Sequence, residues 1–119
     1  MIVAFSVAPS GERPAEAGHS ASSASPASSF SSDSVHDAVA AAVTIVRESG
    51  VPNRTSSMFT EIEGEWDEVM DVVKRATEAV GRYGSRVSLV LKADIRPGHT
   101  GELDGKVERL ERAIAEQRG

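Results

Sequence analysis

Cysteine is absent from all 119 residues of the chain, which excludes disulfides, thiol catalysis and thiolate metal sites and fits a reducing compartment. Aromatic residues are scarce, with one Trp, one Tyr and three Phe, so valine, alanine, leucine and isoleucine must fill the core. No apolar run approaches the roughly 20 residues that span a bilayer. The opening MIVAFSVAP lacks the basic stretch and the length of a secretory signal. A cytoplasmic protein without a membrane partner is expected. Clustered cations are missing too: 13 Lys and Arg are scattered among 18 Asp and Glu, for a net charge of -5. Nucleic acid is thereby excluded as a partner, because phosphate contacts need a concentrated basic footprint.

The usual marks of chemistry are equally thin. His19, His36 and His99 have no i, i+4 spacing that would hold zinc. GRYGS reads as a helix stop, and neither a P-loop nor a dinucleotide fingerprint occurs. No serine has a positioned histidine and acid beside it. We expect no catalytic residue, no metal and no cofactor.

What is present is a chain long enough for one domain, spanning 1–119, with a soluble balance of 39% hydrophobic and 26% charged residues. IVAFSVAP is a strand with Val3, Phe5 and Val7 on one face and Ile2, Ala4, Ser6 and Ala8 on the other. Both faces are apolar or small, so both are expected to be covered. Residues 10–33 are rich in Ser, Ala, Pro and Gly and read as a flexible insert, either a lid or tolerated decoration. A helix follows with Ser34 as N-cap and Val35, Val39, Ala42, Val43 and Val46 as its buried stripe, stopped by Gly50 and Pro52.

NRTSSMFTEIEG fits two short strands or one bent strand, and periodicity leaves that open. Glu61 and Glu63 form a charged face there, and Glu63 is suited to hydrogen-bond turn amides. A second helix over 65–83 presents Trp66, Val69, Met70, Val73, Ala76, Val80 and Tyr83, with Trp66 as a core anchor and Gly84 as its stop. RVSLVLKADI is a strand whose Lys92 and Asp94, with Arg96 beyond, suit an ion-pair network between subunits. A last helix carries Leu103, Val107, Leu110 and Ile114 on one side. The order predicts an α+β, ferredoxin-like βαββαβ antiparallel sheet with helices on one face and an additional C-terminal helix. The open face, with Ile2, Ala4, Ser6 and Val90, is too apolar for water and points to self-association.

MIVAFSVAP, SVHDAV, MFTEIEG, LKADIR and LDGKVERL, in that order and spacing, resemble the small thiamine-binding proteins of ferredoxin-like fold. The resemblance spans nearly all of the chain outside residues 11–31. It implies a homo-oligomer, dimer or tetramer, that binds thiamine or its hydroxymethylpyrimidine moiety without turnover, as a carrier, buffer or sensor. The alternative is a structural or regulatory homo-oligomeric interaction protein whose pocket is vestigial. The serine-rich insert replaces a short link in the family, and Phe59 stands where the family tends to have glycine, so its ring either stacks on a pyrimidine or fills the pocket.

A cationic thiazolium and an aminopyrimidine call for hydroxyl or carboxylate oxygens, an apolar slot and few cations. The candidate ligand-binding residues are Ser6, Ser34, Phe59, Thr60 and Asp94. Each has a plain structural reading beside the functional one. Ser6 suits a close sheet contact, Ser34 a helix cap, and Thr60 is a β-branched residue in a strand.

Overall fold

The computed structural model describes residues 1–12 and 32–118, with side chains from residue 35 onward in the second stretch. The elements are β1 (Ile2–Ser10), α1 (Ser32–Glu48), β2 (Asn53–Thr55), β3 (Thr60–Glu63), α2 (Trp66–Val80), β4 (Arg86–Asp94) and α3 (Glu102–Arg118). Four strands form one sheet in the order β2-β3-β1-β4, and every neighbouring pair is antiparallel. This is the ferredoxin-like βαββαβ arrangement with a C-terminal helix added. The insert expected at 10–33 falls largely on residues 13–31, outside the described residues, while Ser10 belongs to β1.

The strands are unequal partners. β1 pairs with β4 along its whole length, from Ile2 opposite Asp94 to Ser10 opposite Arg86. With β3 it pairs only from Ile2 opposite Glu63 to Phe5 opposite Thr60. The two-strand reading of residues 53–64 is correct: Ser56 to Phe59 form a tight turn closed by the Ser56 amide donating to the Phe59 carbonyl at 2.9 Å.

Alternation along β1 sends Val3, Phe5 and Val7 toward α1 and α2. There they meet Ala38, Ala42 and Val46 of α1, Val69, Val72, Val73, Ala76 and Val80 of α2, and Ile62 of β3. Each fully buried Val, Ile or Phe contributes about 1.5–3 kcal/mol over leaving it in water, so this aliphatic layer is the main source of stability.

Several expectations need correcting. Val39 is 43% exposed and not core; α1 instead turns Ala38, Ala42 and Val46 inward, because small alanines let it approach the sheet closely. Trp66 is no core anchor, being 55% exposed. α2 buries Val69, Val72, Val73, Ala76, Ala79 and Val80, a stripe rotated away from Trp66 and Met70, which lie one turn apart at its margin. The helix start lies at Ser32, so Ser34 falls within the first turn rather than before it.

Two glycines carry distinct duties. Gly50 has φ +80 and ends α1 as the sequence suggested. A 3-10 turn, Gly81–Tyr83, continues α2, and Gly84 follows it in extended backbone at φ -165. Its role is close approach: a β-carbon there would lie 2.6 Å from the Ser10 carbonyl oxygen.

Opposite the core, the sheet is half covered. The start of α3 crosses the Ile2 and Ala4 end, burying Leu103 above a cavity of about 360 Å³ that Glu61, Lys92, Asp94, Lys106 and Val107 help to line. Val90, farther along, stays 55% exposed. The expectation of cover on both faces thus holds for one end of β1 only.

Polar contacts fix the base of α3. Glu63 is 8% exposed and accepts hydrogen bonds from the amides of Glu102 at 2.8 Å and Leu103 at 3.2 Å. Its partners are a distant helix start, not the adjoining turn. Asp94 pairs with Lys106, Arg54 with Asp104 at 2.6 Å, and Arg96 with Glu102 at 3.5 Å. Asp94 and Arg96, expected to bridge subunits, therefore find partners within their own chain.

Candidate functional site

Because β3 stops opposite Phe5, β1 runs on past it from Ser6 with no strand on that side among the described residues. The notch so formed is a cavity of about 180 Å³. Its floor is Phe5 to Ala8 of β1, its flank Val39, Ala42 and Val43 of α1, and its third wall the turn from Thr55 to Thr60. The turn is held rigid by Ser56, whose Oγ accepts from the Phe59 amide at 3.3 Å and donates to the Phe59 carbonyl at 3.2 Å.

No charged side chain lines this cavity among the described residues. Its polar residues are Ser6, Thr55, Ser56, Ser57 and Thr60, and its apolar ones include Phe5, Phe59 and the exposed Met58. Beyond Phe5, the strand edge, unpaired by any strand among the described residues, also presents backbone donors and acceptors to this side. A slot with aromatic walls, hydroxyls and strand-edge amides suits a flat, neutral heterocycle that both donates and accepts hydrogen bonds.

Three of the five sequence candidates, Ser6, Phe59 and Thr60, meet here. Asp94 does not: it sits opposite Ile2 on β4, held by Lys106 over the cavity beneath α3. The Ser34 side chain lies outside the described residues. Sequence reasoning missed Val39 and Val43, which it placed in the core, and the turn residues Ser57 and Met58. Their signal was a polar, unpatterned break between two strand fragments.

A second charged centre lies across the molecule. Glu102, 7% exposed, receives Arg109 at 2.6 Å and has Arg96 and His99 near its other oxygen at 3.5 and 3.7 Å. The Arg109 hydrogen bond holds its carboxyl below the usual range, helped by the charges of Arg109, Arg96 and His99 and opposed by burial. Glu102 opens α3, so this centre ties the start of that helix to Arg96 and His99 before it and Arg109 within it. No group of three or more His, Asp or Glu among the described residues is placed to hold a metal ion.

The family model for thiamine-binding proteins matches residues 21–111. The chain belongs to the thiamine-binding protein family. A UPF0045 protein of Mycobacterium bovis is 49% identical over 83 residues, covering 69% of this chain and 81% of that one. One from Synechocystis is 34% identical over 79 residues, covering 66% and 65%. Among solved structures, a domain of unknown function from Bacillus cereus superposes with a TM-score of 0.61 at 29% identity, over 85% of this chain and 82% of that one. A Thermotoga maritima protein provisionally assigned to thiamine biosynthesis or salvage gives 0.65 at 22% identity, over 92% and 96%. At that identity the likeness speaks for the fold. No helix among the described residues is long and apolar enough to cross a membrane.

Within the thiamine-binding family frame, the resemblance read from the sequence and the antiparallel sheet agree. The notch beside β1 is the candidate ligand pocket of this family member.

Proposed function

We propose that the chain is a non-catalytic binding module for thiamine or its hydroxymethylpyrimidine moiety, acting in the cytoplasm as a carrier, buffer or sensor and self-associating through its open sheet face. Membership of a family named for thiamine binding supports the ligand class. The observation that carries the reading is the notch, without a charged lining residue among the described residues, where Ser6, Phe59 and Thr60 converge beside the edge of β1 that no described strand pairs.

The pyrimidine ring is the part this notch suits. Its donor and acceptor edge matches hydroxyls and strand-edge groups, and its face matches Phe59. The thiazolium has no carboxylate partner in the cavity among the described residues, and about 180 Å³ is small against the roughly 300–1,000 Å³ that enclose drug-sized ligands. The cation therefore stays at the mouth. Phe59 serves as a stacking wall, Thr60 and Ser6 as hydroxyl partners, and Asp94 belongs to the anchoring of α3 instead.

Calorimetric titration with thiamine, hydroxymethylpyrimidine and the isolated thiazole moiety tests this. Thiamine and the pyrimidine should bind and raise the melting temperature by mass action, and the thiazole should not. Phe59→Ala should weaken binding about tenfold, or about 1.4 kcal/mol. Absence of heat and of a thermal shift with either pyrimidine at millimolar concentration counts decisively against the proposal.

A further inference from the structure

The apolar residues of α3 follow a 4-3-4 spacing, Leu103, Val107, Leu110 and Ile114, which lines them up as a seam along one face of the helix. Only the first is buried. Val107, Leu110 and Ile114 are 43%, 57% and 39% exposed. Beyond its base the helix leaves this apolar face largely in solvent, whereas most helical stability in proteins comes from packing such a face.

We propose that this seam pairs in parallel with the α3 seam of a second copy of the chain. The inference rests on the self-association proposed above and names the helix as part of that contact. Two features select the occupant. β-branched Val107 and Ile114 fall at one seam position and Leu103 and Leu110 at the other, the distribution that favours two parallel strands. Charge then sets direction. In a parallel pair Lys106 of one copy flanks Glu111 of the other, five residues on, so unlike charges meet on both sides. An antiparallel pair brings Asp104 and Glu111 to the same flank, which repels. Lys106 is held in place by Asp94, so its charge is already fixed beside the seam.

The seam is short, so it adds to the sheet-face contact rather than replacing it. Its contribution is direction: it fixes how two copies face each other.

The full chain tests this directly. Since it contains no cysteine, Leu110→Cys supplies a single thiol at the seam, and Arg112→Cys one on the outer side. Oxidation should lock Leu110→Cys into a covalent dimer and leave Arg112→Cys largely uncrosslinked. In sedimentation, Leu110→Asp should weaken the dimer at least tenfold while circular dichroism stays that of the folded chain. Glu111→Lys should weaken it as well, whereas antiparallel pairing would be strengthened by that change. A wild-type chain that is monomeric throughout the micromolar range overturns self-association and the seam together. A dimer that dissociates with Val90→Asp, ignores Leu110→Asp and fails to crosslink at position 110 keeps the sheet-face contact and overturns the seam.

Discussion

Glu63 at the end of β3 accepts the amide hydrogen of Glu102 at 2.8 Å, tying the start of α3 to a strand 39 residues earlier in the chain. Helix starts leave their first amides without partners, and here a buried carboxylate from elsewhere takes two of them, also meeting the positive end of the helix dipole. Glu63→Ala should cost about 2 kcal/mol in urea unfolding, and Glu63→Gln about 1 kcal/mol because one acceptor oxygen remains. Hydrogen exchange should localise the loss to the first turns of α3. Uniform acceleration over the whole sheet would show that Glu63 has some other task.

Acid should release the same helix by a second route. Arg109 holds the Glu102 carboxyl low, and a group whose folded pKa is depressed contributes stability above its unfolded value that is lost as pH falls through the folded one. With an unfolded glutamate near about 4.3, the contribution is complete at neutral pH and fades below about pH 4. Melting temperatures compared at neutral and acid pH should fall less steeply for Glu102→Gln than for the wild type. Identical slopes would remove Glu102 from the account.

Trp66 is the sole tryptophan, so intrinsic fluorescence reports its surroundings without ambiguity. At 55% exposure its emission in the monomer should be red-shifted and readily quenched by acrylamide. Trp66→Ala should lower stability by under about 1 kcal/mol, against roughly 2–4 kcal/mol for truncating buried Ile62 to alanine. A blue-shifted, quencher-resistant emission would place the indole in a core.

Gly84 tests the packing of β1 against the link into β4. A methyl group would lie 2.6 Å from the Ser10 carbonyl and 3.0 Å from its amide nitrogen, and backbone cannot swing aside as a flexible side chain can. Gly84→Ala should destabilise by about 1–3 kcal/mol through overpacking, with ligand affinity at the far wall of the notch little changed. A neutral result in thermal melts would mean that the two segments separate easily.

Much of the architecture was legible before any coordinates. Val3, Phe5 and Val7 alternate, and the runs ending at Gly50 and Gly84 stop where helices stop. Within the notch, Ser6, Phe59 and Thr60 were singled out by type and by family resemblance, and they share one cavity. Errors arose where two periodicities coexist. In α1, Ala42 and Val46 lie inward as their spacing suggests, but counting by size favours Val39 over Ala38, and it is Ala38 that is buried. In α2, the largest apolar side chain, Trp66, sits at the edge of a stripe made of valines.

The alternation of apolar residues, the glycine stops and the acidic starts of helices are local properties, so the sequence by itself determined the elements, their order and the sheet that such an order closes into. It could not determine that Glu63 looks toward Glu102, that Asp94 is held by Lys106, or that β3 starts only at Thr60 and so leaves a notch beside Ser6. The two polar contacts join segments 12 to 40 positions apart, the notch depends on the register of β1 against β3, and such distances carry no periodic signal. Only the folded sheet, by fixing which residue stands opposite which, decided where the pocket lies and how α3 is moored.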